Sequence, residues 1–242
     1  MRRKKTVMHH IYPSKRQVFT TLAFIVVPFL FLLSFSRIAH ISGAELFVDV
    51  FVSLARLLAA YLIAVFLAWI LAVSFYRGRR SIVALPLFDV LQSFPTFAVL
   101  PLISYFFRPA NGTIIFFLVL TILWPILFSI IGSLKLIKRD WEEVVAVSGV
   151  AGVDYVRFFL WPVSLPGLIT GSIIGVGDGW GALVATEIIV NARHGLGDFF
   201  GTFSHNPEIT IFGILGLLII VFCINTLVWL PLLEKGHLSM EE

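Results

Sequence analysis

The chain of 242 residues holds one cysteine, Cys223, and only 13% charged residues. A single cysteine, inside an apolar run, excludes a disulfide framework and a cysteine-based metal site. Soluble domains carry about 25% charged residues, so this scarcity excludes an ordinary soluble fold. A phosphate-binding loop is also missing: Gly132-Ser133-Leu134-Lys135 lacks the spacing of G-x-x-x-x-G-K-[ST]. The chain is therefore no ATPase of that type. The histidines do not gather in the apolar runs. His9, His10 and His237 lie in the tails, and His40, His194 and His205 lie in short links. No metal site is expected. No repeat of about 20–50 residues is visible, and no polar linker divides the chain, so one membrane domain is expected.

What the sequence has is hydrophobic length. It is 59% hydrophobic, with 24 Phe and a mean hydropathy of +0.98. The runs are apolar all round rather than alternating, which indicates helices and not barrel strands. Six spans are predicted: Val18–Phe35, Phe51–Phe75, Val83–Phe107, Thr113–Leu134, Pro166–Val190 and Ile209–Leu233. Each approaches the roughly 20 residues that cross the hydrocarbon layer. Fourteen of the 18 Lys and Arg fall in the N-terminal tail, the second-to-third link, the fourth-to-fifth link and the C-terminal tail. Arg37, Arg108 and Arg193 fall on the other side, and Arg56 lies inside a span. The positive-inside bias predicts both termini and the long fourth-to-fifth link in the cytoplasm. The net charge of +4 reflects this topology and does not signal nucleic acid. The first span has a basic flank like a signal peptide. Its length and the lack of a small-x-small site favour an uncleaved helix. The expected organisation is a basic tail over 1–17, a first helix and outer loop over 18–48, a core of five helices over 49–233 with a coupling loop at 138–165, and a tail over 234–242.

The long cytoplasmic link carries the densest information. Trp141 to Ser148 is expected to form a short helix, with Asp140 as cap and Glu142 and Glu143 in the first turn. Val144, Val147 and Ser148 share one face. Gly149 and Gly152 suit positive φ or close approach. A second amphipathic piece runs from Tyr155 to Leu160. Pro162 and Pro166 follow, and Pro166 suits the first turn of the re-entering helix.

These residues resemble a known family. Glu143, Gly149, Pro162 and Leu165-Pro166 match the spacing of the EAA loop of binding-protein-dependent ABC importer permeases. Gly167-Leu168-Ile169-Thr170-Gly171 and the pair Trp180 and Glu187 look like its nitrate/sulfonate/taurine branch. So do Ser53-Leu54 with Arg56, the set Pro86, Asp89, Gln92, Pro95 and Pro101, and Gly195-Leu196-Gly197. The resemblance covers about residues 50 to 233. It implies an all-α type I importer permease fold of six transmembrane helices. It also implies a coupling helix that sits in a groove of a cytoplasmic ATPase subunit, with Glu143, Val144, Val147, Gly149, Ala151, Gly152, Pro162 and Pro166 in the contact. The family's paired alanines are Val144 and Val145 here, so the docking contact is expected to differ in shape. The implied partners are a second permease copy, two ATPase subunits that hold ATP and magnesium, an extracytoplasmic binding protein and the inner-membrane bilayer of a prokaryote. No cofactor is expected on this chain.

Ionisable groups inside membrane spans mark pathways or buried pairs. Arg56 and Glu187 are expected at similar depths, which leaves a structural ion pair and a substrate gate both open. Asp178, within Gly175-Val176-Gly177-Asp178-Gly179-Trp180-Gly181, is expected to face the interior or a polar partner. Arg56, Asp178, Trp180 and Glu187 are the candidates for the path or its gate. Asp89 and Gln92 read as packing or loop contacts. Asn111-Gly112-Thr113 matches a glycosylation sequon, a tripeptide common by chance. Two other functions compete. An ion-gradient-driven transporter or channel would explain Asp178 and Glu187 but not the loop. An intramembrane hydrolase needs a serine in a membrane cavity with a histidine partner. Ala146-Val147-Ser148-Gly149 lies in the link, and no histidine lies in a span.

Overall fold

A computed structural model describes residues 15–106, 110–229 and 231–232. The described residues form helices and connecting turns, with no strand among them. In order these are α1 (Lys15–Ile38), α2 (Gly43–Phe75), α3 (Arg79–Gln92), α4 (Thr96–Phe106) and α5 (Ala110–Lys135). The chain continues through α6 (Arg139–Val147), α7 (Gly152–Tyr155), α8 (Trp161–Ile189), α9 (Leu196–Thr202) and α10 (Pro207–Ile224). Five stretches are long and apolar enough to cross a membrane, and the broken pair α3 and α4 makes a sixth candidate. A multi-pass helical membrane protein is the result. The N-terminal tail with His9 and His10, the C-terminal tail with His237, and Phe107 and Arg108 lie outside the described residues.

Two expected boundaries are corrected. The third span is not one helix: α3 and α4 meet at 79° across Ser93–Pro95. Pro95 disfavours helical backbone at Phe94, which ends the first half. Asp89 accepts from Gln92 (2.8 Å), and its carbonyl accepts from Ser93 Oγ (2.9 Å), closing that end. The second correction concerns re-entry. The chain is helical from Gly152 to Ile189, through a wider π turn at Val156–Leu160, so Pro166 lies inside α8 and not in its first turn. Pro162 occupies that start instead. Its missing N–H and its ring open the helical ladder just where the wide turn stands.

The core is built by α2, α5 and α8. Small residues set their spacing. On α8, Gly167, Gly171, Gly175 and Gly179 recur every fourth residue and form one stripe. A Cβ at Gly167 would lie 2.3 Å from the Ser129 carbonyl oxygen, and one at Gly171 would lie 2.6 Å from Ile126 Cα. Only hydrogen fits at these crossings, so the backbones of α5 and α8 touch. On α2, Ala60, Ala64, Ala68 and Ala72 are fully buried in the same core. Polar bridges add register between α2 and α8. Tyr61 donates to Ser172 Oγ (3.0 Å), and Trp69 Nε1 donates to Ser164 Oγ (3.1 Å). Helices α1 and α10 flank this core through phenylalanine contacts, including Phe24 with Phe222 and Phe35 with Phe212.

Candidate functional site

Two sites stand at opposite ends of the bundle. The first is the link between α5 and α8. Helix α6 starts after Lys138, which provides no side-chain cap, so Asp140 is not the cap but lies in the first turn with Glu142. Acids in that turn still meet the positive end of the helix dipole. Glu143 falls one residue further on and pairs with Arg139 at 3.6 Å, on an exposed surface. Glu142 pairs with Arg77 from the link between α2 and α3. Hydrogen bonding to Tyr76 and to Glu142 raises the Arg77 pKa above its ordinary value. The pair ties α6 to a second link on the same side of the bundle.

The opposite face of α6 is apolar and open. Val144 is 65% exposed and Val147 is 90% exposed, and Trp141 is also exposed. Gly149 and Gly152 both have positive φ, +70° and +61°, which an L side chain rarely adopts. A Cβ built on either would meet nothing within 4 Å, so the need for glycine is conformational and not a close approach within the chain. Together the two residues flank the break between α6 and α7. Ala151, Gly152 and Pro162 are exposed beside them, and Pro166 is half-buried in α8.

The second site lies at the other end, where α8 turns into α9. Glu187 is fully buried and Arg56 nearly so. Arg56 Nη1 meets Glu187 Oε1 at 2.6 Å. Ser53 Oγ lies 2.9 Å from both carboxylate oxygens, and Gly197 N–H donates to Oε2 at 2.9 Å. Arg56 also donates to Asn111 Oδ1 (3.0 Å) and to the carbonyls of His194 (2.8 Å) and Arg193 (3.4 Å). The turn is fastened by two more backbone donors. Gly195 N–H meets Asp49 Oδ1 at 2.9 Å, and Leu196 N–H meets Ser53 Oγ at 2.8 Å. The glycines are required here. A Cβ on Gly195, at φ +131°, would sit 2.7 Å from both Arg56 Nη1 and Glu187 Oε1. One on Gly197 would sit 2.3 Å from Glu187 Cβ. The node thus joins α2, the start of α5, the end of α8 and the start of α9.

The structure therefore brings Arg56 and Glu187 together inside the protein, where neither faces an open surface. Trp180 is the third candidate for the path or its gate. It is buried in the core with Leu57 and Leu183. Asp178, the fourth candidate, is exposed on α8 and has no ion pair or hydrogen bond among the described residues. Four participants in the node were not assigned a role from sequence: Asp49, Ser53, Asn111 and the Gly195–Gly197 turn. Asn111 had drawn notice only as a sequon, yet its side chain is engaged by Arg56 and Thr113 is fully buried. Beside the node, ligating atoms of Asp49, His194 and Asp198 lie within 4.8 Å of one another. Asp49 Oδ1 already accepts from Gly195, and Asp198 Oδ2 accepts from His194 N–H.

Residues 62–236 match the family described as the binding-protein-dependent transport system inner membrane component. The chain belongs to this family. Within it, the chain is 31% identical over 161 residues to a nitrate import permease protein of Leptolyngbya laminosa, covering 65% of this chain and 57% of that one. It is 30% identical over 114 residues to a bicarbonate transport system permease protein of Synechococcus elongatus, covering 47% and 41%. It is 27% identical over 146 residues to a taurine transport system permease protein of Escherichia coli K12, covering 58% and 51%. The chain spans about half the length of the curated relatives it matches. These family members agree with the resemblance read from the EAA-type loop, and they place the chain in the nitrate and taurine branch of the importer permeases. The helical fold agrees as well. The family match includes both the exposed α6 and most of the node, leaving Asp49, Ser53 and Arg56 upstream of it.

Proposed function

We propose that this chain is the membrane-spanning permease subunit of an ABC importer in the cytoplasmic membrane of a prokaryote. It forms the path for a small solute delivered by an extracytoplasmic binding protein. Two copies of the chain pair with two cytoplasmic ATPase subunits, which bind and hydrolyse ATP with magnesium. The observation that carries this reading is the apolar face of α6. Trp141, Val144 and Val147 stand open on a short helix at the end of the bundle rich in Lys and Arg. An exposed apolar strip of this kind needs a protein surface to cover it. The positive-φ glycines after it and the Glu142–Arg77 pair fix how the strip is presented. Movement of an ATPase groove against α6 would pass through Gly149–Gly152 into the continuous helix 152–189. That helix crosses the bundle and ends at the Arg56–Glu187 node, so one continuous helical stretch joins the two ends.

The test is reconstitution in vesicles with a co-expressed ABC ATPase and the cognate binding protein. Uptake that follows ATP, and a native mass of two permeases with two ATPases, is the expected result. Uptake that follows ΔpH or voltage without any ATPase would replace this reading with a gradient-driven transporter.

A further inference from the structure

Asp178 is the one acidic group in the middle of α8 that the protomer leaves open. Glu187, on the same helix, is neutralised by Arg56. Asp178 stands eleven residues before Ile189, about 16 Å from that end of the helix. It shares an exposed face with Thr170, Ile174, Gly177 and Gly181. Beside Gly177 and Gly181 there is open space. No Lys or Arg occurs anywhere in α8. The glycine stripe that packs on α5 lies on the neighbouring face and is closed.

This face does not have the character of a lipid-facing surface. The exposed side of α2 shows what that is here: Phe51, Leu58, Leu62 and Phe66. A carboxylate at mid-depth is strongly unfavourable against hydrocarbon, and unpaired acids in spans face water-filled cavities or the bundle interior. Small residues around it leave room for a solute and its water. We propose that the Asp178 face of α8 lines the solute path, and that its carboxylate selects for solutes bearing an ammonium or similar cationic N–H group over simple anions. This deepens the permease reading and rests on it. A cationic donor passing Asp178 exchanges water for a charge-assisted hydrogen bond, in the way rings of acidic side chains favour cations in pores. Nitrate and bicarbonate offer no such group, whereas taurine carries an ammonium. A second copy of the chain would bring a second carboxylate to the same path.

The test reads the local charge without a known solute. Gly181→Cys is made in a Cys223→Ala background, one helical turn from Asp178. Membranes containing the full chain are treated with a cationic trimethylammonium methanethiosulfonate and an anionic sulfonate analogue of similar size. Each rate is divided by its rate with a free thiol in solution. The expected preference for the cationic reagent is about tenfold. Asp178→Asn should bring the ratio close to one. Ile174→Cys repeats the measurement on the same face if Gly181→Cys does not accumulate. A thiol that reacts with neither reagent at both positions would show a face sealed by lipid or protein and overturn the proposal. A ratio near one with Asp178 intact would overturn it equally. ATP-driven uptake is a separate readout: its absence alone removes the importer reading and leaves the charge preference standing.

Discussion

Glu187→Gln is the sharpest probe of the Arg56–Glu187 node. The substitution keeps the shape of the side chain and removes its charge. In the native arrangement the carboxylate accepts from Ser53, Arg56 and Gly197. An amide has one acceptor oxygen and one donor nitrogen, so its NH2 must face either Arg56 Nη1 or Gly197 N–H, donor against donor. Arg56 keeps Asn111, His194 and Arg193 as acceptors but loses its ion pair. Breaking a buried pair from one side typically costs about 3–5 kcal/mol. For a chain of this size that corresponds to a fall in Tm of about 6–20 °C. The assay is thermal unfolding of the purified protein in detergent, read by the loss of monodisperse protein. Arg56→Met with Glu187→Leu should lose much less than the two single changes together, because it removes both charges at once. A Glu187→Gln protein that unfolds within about 2 °C of wild type would refute the buried, charge-balanced node.

Three other outcomes follow from the same geometry. Gly195→Ala should lower Tm by several degrees, since its Cβ meets Arg56 and Glu187 at 2.7 Å and the residue has positive φ; an unchanged Tm would mean the turn sits further from the pair. Gly167→Val should cost at least the 1–3 kcal/mol typical of overpacking, because the Ser129 carbonyl oxygen lies in the way, and it is read by the same unfolding assay against Gly132→Val, which points into open space. Glu142→Gln should lower stability by less than about 1 kcal/mol, as the pair with Arg77 is partly solvent-exposed; a larger loss would show that the pair is structural.

The spans were legible because uninterrupted apolar length is the physical requirement for crossing a bilayer. Their interruptions were less so. Pro95 was visible, yet a proline in a span is compatible with a kink or a full break, and only the packed neighbours decide between them. Pro166 read as a helix start because nothing in the local pattern shows that the amphipathic piece Tyr155–Leu160 runs on through Pro162 without a break. The similar depth of Arg56 and Glu187 could be counted along the helices. The rest of their node could not, because half of its donors and acceptors are backbone groups of residues 193–197, which carry no side-chain signature. The faces of α8 were also hidden. It is apolar nearly all round, so periodicity does not tell the side of Trp180 from the side of Asp178. In the link between α5 and α8 the glycines were read for positive φ or for close approach, and the structure selects the first.

The central claim is that α6 passes the work of an ATPase to the membrane helices through the Gly149–Gly152 turn. Gly149→Leu tests it most directly. The change forces a bulky side chain into φ +70°, at about 1 kcal/mol or more of local strain. It leaves the apolar spans that direct insertion untouched. Expression, ATPase co-purification and ATP-dependent uptake are measured together in the same membranes. The account predicts normal expression, weakened association and lost uptake. Association and uptake equal to wild type, at equal expression, would contradict it.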